Sequence, residues 1–260
     1  MHHLDQLTIL QAIAADAAQA AHELTPHPEP ARSVSGSHLL AVFQNGRLGL
    51  ASRLHGASDN TELFDGAATT GSPPSLANLA ASLPEHASLT QPSLGPSLAL
   101  AAVNALLPVP KTAAPLKGQD LLLEHGAGKD AVVVGHFPFV EKIAGEFRSF
   151  HVLELRPKPG DLPAEAAEEV LPGAGVVALT GTTLLNGTLS GILALCPDAF
   201  VLLLGPSTPF APSLFEAGVD AIAGNAIADA EAVIAGVAAG LPYRKLKGVE
   251  SLTWLAGDMG

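Results

Sequence analysis

A chain of 260 residues with 48% hydrophobic content can bury one large core or two modest ones, so it is globular and not disordered. A net charge of −12, with 13 Lys and Arg and no dense basic cluster, argues against nucleic acid and against anionic membrane as partners. A single cysteine, Cys196, excludes an intrachain disulfide and a thiolate metal cage, and fits a reducing, cytoplasmic setting.

No apolar run reaches the roughly 18–20 residues that a membrane helix needs. The start, MHHLDQLTIL, lacks the charged-then-apolar layout of a signal peptide. The adjacent His2 and His3 make a poor metal site without further ligands. Residues 4–24 follow as a helix, with Leu7, Leu10, Ile13, Ala14, Ala17, Ala20, Ala21 and Leu24 as its apolar stripe. Three prolines over residues 25–32 end it. A hairpin is expected next, from residues 37–43 and 47–52 around Gln44-Asn45-Gly46, because Asn and Gly both tolerate positive φ. Residues 53–74 read as a long loop, of a length that is more often functional or partner-covered than idle.

Helices are expected over residues 75–83, capped by Ser75, and over 98–107, which is alanine-rich. Asn104 inside the second either faces solvent or makes a specific hydrogen bond. Residues 108–119, PVPKTAAPLKGQ, have linker composition. The expected division is therefore a small α+β domain at 1–118 and an α/β domain at 119–260.

From residue 120 the pattern alternates. Apolar runs of strand length fall at 131–134, 151–155, 176–180, 200–204 and 219–223. Helical segments separate them. Nearly continuous apolar strands predict a parallel sheet buried on both faces, with helices on each. Four of the runs stop at a glycine, Gly135, Gly181, Gly205 or Gly224. In a parallel sheet these ends share one rim, where open α/β sheets bind ligands.

The rim supplies the candidate site. His136 either acts as general acid or base near neutral pH or bonds a carbonyl at the strand end. Glu154, at the end of the second run, either grips a ligand hydroxyl or pairs with Arg156. Thr182, Thr183 and Asn186 either cap the helix after Gly181 or present oxygens and backbone N–H groups to a ligand. Gly135, Gly181 and Gly205 allow close approach of a ligand to backbone, and Ser207 and Thr208 add hydroxyls. Phe137 offers a flat apolar face. The first turn, GHFPFV, lacks the G-x-G-x-x-G fingerprint of dinucleotide sites. No C-x-x-C or H-x-x-x-H pair is present. Cys196 reads as buried packing.

The segments VVVGHFPFVEKI, HVLELRPKPGDLP, VVALTGTTLLNGTL and LLLGPSTPFAPSLFEAGVDAIAG, in this order, resemble the putative heavy-metal chelatase family. That resemblance implies a Rossmann-like α/β domain preceded by a small enolase-N-terminal-like α+β domain. It also implies a metal ion or a pterin- or flavin-like molecule as ligand. The combined expectation is a small-molecule-binding protein whose cleft lies at the C-terminal edge of the sheet and is closed over by the first domain. His136 and Glu154 would be its acid/base pair. A non-catalytic binder of a metal chelate and an atypical nicotinamide-dependent oxidoreductase are the alternatives, and a homo-oligomer stays open.

Overall fold

Apolar residues three and four apart make α1 (Gln6–His22), which buries Ile9, Leu10, Ile13 and Ala17. Leu7 lies about 200° round the helix from Ile9, and it faces solvent. The computed structural model describes residues 4–22, 29–54, 74–87 and 93–258. Residues 55–73 of the expected loop, and the His2-His3 pair, lie outside the described residues.

Next come three antiparallel strands, β1 (Arg32–Ser35), β2 (Leu39–Gln44) and β3 (Arg47–Ser52). The β2–β3 hairpin turns at Asn45 and Gly46, at φ 49° and 75°, as the Asn-Gly pair predicts. Strand β1 was not expected. It is a polar four-residue edge, RSVS, with no apolar alternation to announce it.

Alternation along this small sheet feeds two cores. Leu40, Val42 and Ala51 pack with α1 and with α3 (Gly95–Leu106). Leu39, Ala41, Leu48 and Leu50 pack on the other side, against Val233 and Val237 of a helix near the chain's end. Between β3 and α3 lies α2 (Leu76–Ala81), where Ser75 Oγ accepts from Asn78 N at 3.1 Å, the expected cap. Helix α3 crosses β3 at Gly49, where a Cβ would stand 2.0 Å from the Ala101 carbonyl oxygen and 2.4 Å from Ala105 N. Alanines on the helix and glycine on the strand permit that approach.

The second half is a seven-stranded sheet. Its elements are α4 (Gly118–Gly126), β4 (Asp130–Val134), α5 (Val140–Ile143), β5 (Ser149–Glu154), β6 (Leu162–Pro163), α6 (Ala167–Val170), β7 (Val176–Thr180), α7 (Thr182–Leu185), α8 (Leu189–Leu195), β8 (Phe200–Leu204), α9 (Ser213–Glu216), β9 (Ala221–Ile227), α10 (Ala230–Ala238) and β10 (Val249–Leu255). The order is β10-β9-β8-β7-β4-β5-β6, all parallel except β10. Alternate residues face opposite layers. Ala131, Val133, Val152, Val176 and Ala178 pack with α4 and α5, whereas Val132, Leu153, Val177, Leu179 and Leu203 pack with α8 and α9.

Three features depart from the expected pattern. Helix α4 begins inside the supposed linker, and Leu121 and Leu122 are buried against the sheet. Gly224 does not end its strand. Pairing with β10, which sets Leu252 opposite Gly224, carries β9 on to Ile227. The glycine is needed there because a Cβ would meet the Phe210 ring at 2.9 Å. The helix after Gly181 is broken into α7 and α8 by Gly187 at φ +76°.

One buried apolar cluster runs from Ile9, Leu40 and Leu100 in the first half to Val177, Leu203 and Ile222 in the second. Packing therefore does not stop at the boundary expected near residue 118. The intervening segment is itself fixed, since Ala114 and Thr253 exchange two backbone hydrogen bonds at 2.8 and 2.9 Å. No helix among the described residues is long and apolar enough to cross a membrane.

Two outcomes follow from this packing. Gly49→Val should lower unfolding stability by about 1–3 kcal/mol, read as a fall in the urea midpoint, because the new side chain meets backbone that cannot rotate away. An unchanged midpoint would contradict the close crossing. Cys196 is buried, with its Sγ donating to the Ile192 carbonyl, and burial pushes its thiol up to about 11. A thiol reagent such as dithionitrobenzoate at pH 8 should label it only after denaturation; prompt labelling of the folded protein would show the pocket to be open.

Candidate functional site

Strand β4 is the hinge of the topology. The chain leaves it towards β5 and β6 on one side, then returns to build β7, β8 and β9 on the other. The loops after β4 and β7 therefore diverge at the topological switch point, the place where open α/β sheets have their binding crevice. Gly135 follows β4 at φ +103°, and its N–H donates to the Leu153 carbonyl at 2.9 Å. A Cβ there would stand 3.0 Å from Thr180 Cγ2, so glycine allows both the turn and the approach of β7.

His136 comes next and finds a carboxylate other than the one expected. Its Nδ1 lies 3.5 Å from Asp161 Oδ2, and the side chains are 26% and 6% exposed. Nδ1 is buried and has no hydrogen bond at that separation. Asp161 is anchored from behind, because Oδ2 accepts from Lys158 N at 3.0 Å in a turn whose Gly160 has φ +97°. Glu154 ends β5 opposite Pro163 of β6, half-buried, with no hydrogen bond or ion pair to a described residue. Phe137 and Phe139 stack with centroids 5.4 Å apart and planes 5° from parallel, partly buried against the α4–α5 layer.

The remaining candidates serve the frame more than the crevice. Thr183 Oγ1 donates to the Thr180 carbonyl at 2.8 Å and is buried. Asn186 Oδ1 accepts from Thr188 N and Thr188 Oγ1, an Asx turn between α7 and α8. Thr182 is half-buried and its Oγ1 bonds Thr180 Oγ1 at 3.1 Å, while the methyl side of Thr180 packs on Gly135. Gly181 is pressed under the loop after β8, where a Cβ would come 2.7 Å from Thr208 Oγ1 and 2.8 Å from Ser207 C.

That loop is covered by the first half of the chain. Gly205 turns it at φ +116°. Ser207 is fully buried and its Oγ accepts from Ser52 N at 2.7 Å, while Ser97 Oγ donates to the Ser52 carbonyl at 2.8 Å. Asn104 donates to the Leu50 carbonyl at 2.7 Å, which settles its role inside α3, and Asn225 donates to the Pro206 carbonyl at 3.2 Å. Thr208 is buried against a small cavity lined by Leu50, Asn104, Phe210, Asn225 and Ile227. The structure thus groups Gly135, His136, Phe137, Glu154 and Thr182 at the crevice, adds Asp161, and seats Ser207 and Thr208 in a buried seam.

Asp161 was not picked out from the sequence. The signal was there, since Lys-Pro-Gly-Asp is a turn at a strand end, and an Asp there can fold back onto the N–H of Lys158. Donor chemistry limits what the crevice can hold. Among the described residues no three His, Cys, Asp or Glu side chains gather. One imidazole and one carboxylate fall short of the three or four protein ligands of ordinary zinc sites. The short α5 and α7, four residues each, also give little helix terminus for a phosphate.

The family described as putative heavy-metal chelation matches residues 117–255, more than half of the chain. Two crystal structures of DUF364-family proteins of unknown function resemble it. That from Desulfitobacterium hafniense is 23% identical with a TM-score of 0.74, over 92% of this chain and 97% of that one. That from Pyrococcus horikoshii is 17% identical with a TM-score of 0.73, over 95% and 99%. Likeness at these identities speaks for the fold. No curated protein matches the chain.

Ser207→Ala removes the acceptor of the Ser52 N–H. It should cost about 1–3 kcal/mol of stability, seen as a lower melting temperature. A Ser207→Ala protein that melts like the parent would show that the seam does not depend on this bond.

Proposed function

The chain belongs to the DUF364 family, described as putative heavy-metal chelation, and from that premise we propose that it binds a small polar, flat-ringed or metal-chelating molecule in the crevice between the ends of β4 and β7. The observation that carries this reading is the nearly buried Asp161 carboxylate facing Nδ1 of a part-exposed His136 at the topological switch point. A carboxylate in that position favours the tautomer with hydrogen on Nδ1 and leaves the Nε2 lone pair to meet a ligand. The 3.5 Å separation is of the kind that tightens when a ligand docks.

The neighbours suit such a ligand. The Thr180 and Thr182 hydroxyls offer polar contacts, and the Phe137–Phe139 stack supplies a flat apolar wall. His136 is the group that would take or give a proton, with Asp161 as its orienting carboxylate and Glu154 as a second acid at the neighbouring strand end. A nicotinamide cofactor fits less well. The sheet order is that of dinucleotide folds, but Phe137-Pro138 fills the first turn and α5 offers a single helical turn to a pyrophosphate.

Native mass spectrometry of the purified protein, with metal analysis of the same sample, tests the reading. The parent should carry a small molecule, and His136→Ala and Asp161→Asn should each reduce its occupancy by about tenfold or more with little change in melting temperature. Equal occupancy in the parent and in His136→Ala would remove the crevice from consideration.

A further inference from the structure

We propose that the two sheets are joined through an ordered water, held in the seam between the open edges of β3 and β9. This goes beyond the crevice reading and uses no group at the ends of β4 and β7.

Topology leaves both edges open. Strand β3 is the last of the small sheet, so one of its sides has no strand neighbour. Alternate residues of an antiparallel strand turn their backbone groups to the same side. Ser52 N donates to Ser207 Oγ and the Leu50 carbonyl accepts from Asn104 Nδ2, so these residues face away from β2, and Leu48 faces the same way. Strand β9 lies between β8 and β10, but β8 stops at Leu204, opposite Ala223. The Ala223 carbonyl accepts from Gly205 N on the β8 side, whereas Ala228 N donates to the Gly248 carbonyl on the β10 side. Asn225 and Ile227 therefore turn their backbone groups to the side of Ala223, past the end of β8.

The small cavity of the seam lies between these edges, because Leu48, Leu50, Asn225 and Ile227 all line it. No hydrogen bond between described residues joins the N–H and C=O groups of one edge to those of the other. Buried amides left without partners are costly, so something must meet them.

Size and charge select the occupant. Cα atoms of β3 and β9 come within 8 Å of each other. A peptide strand inserted between them would set them about 9.5 Å apart, two strand spacings. The cavity has room for about one water. No charged side chain lines it, so an ion finds no counter-charge there. Water both donates and accepts, which suits a site where amide N–H groups meet carbonyl oxygens. Thr208, on the cavity wall, carries a buried Oγ1 that bonds no other described residue, a further polar group that a water can serve.

NOE and ROE spectra between water and the amides of the isotope-labelled full chain test this. The Leu50 and Ile227 amides should show water cross-peaks of opposite sign in the two spectra, the signature of a water that stays longer than surface hydration. A high-resolution crystal structure should place one oxygen within hydrogen-bond reach of Leu50 N. Cross-peaks of the same sign, or none, would overturn the proposal. So would crystal density for an organic molecule in the cavity, or a direct backbone bond between β3 and β9.

Discussion

The double pairing of β4, with β5 on one flank and β7 on the other, is the constraint on which the rest depends. A parallel sheet forces each crossover to pass over one face, and right-handed crossovers place it on opposite faces when the chain moves in opposite directions. Once β7 returns to the far side of β4, the loops after these two strands must part. The switch point is thus a consequence of strand order and needs no special loop sequence. What sequence adds is permission. Gly135 has both the left-handed φ and the space that Thr180 requires.

The small sheet is held on both faces, which bears on how the two halves could move. Helix α3 presses into β3 at Gly49, and α10 presses into the turn before β2 at Gly36, where a Cβ would stand 2.0 Å from the Val237 carbonyl oxygen. The loop after β8 is then bonded beneath β3 through Ser52 and Ser207. A unit anchored by backbone contact on one face, by a second helix on the other and by buried hydrogen bonds along its edge resists hinging as a lid.

Legibility from sequence tracked how local the determining physics was. The Asn45-Gly46 turn, the Ser75 cap and the apolar strands β4, β5, β7 and β8 are specified by neighbours within a few residues, and they could be read directly. Strand β10 could not, because its burial pattern exists only against β9, and Gly224 looked like a strand end for the same reason. Helix α4 hid behind a proline-rich approach. Ser207 and Thr208 read as rim hydroxyls because nothing in their own loop reveals that Ser52, 155 residues earlier, will cover them.

The site shows the same rule at the level of single atoms. Glu154 was the natural partner for His136, since adjacent parallel strands bring their ends together. Yet side chains at successive positions of a strand point to opposite faces, and the strand-end carboxylate has no partner among the described residues. The carboxylate that reaches Nδ1 comes from a turn beyond the strand, where Pro159 and Gly160 bring the chain back and Lys158 N fixes the acid. A turn can aim a short side chain inward at a ring in a way that a strand end cannot. It also holds the acid on the buried side of the imidazole. That geometry separates two roles that share the same residue types. An acid beside Nε2 would make half of a metal cage, whereas an acid behind Nδ1 makes a single, well-oriented donor. Asp161 stands in the second position, with its Oδ2 3.5 Å from Nδ1 on the buried side of the ring.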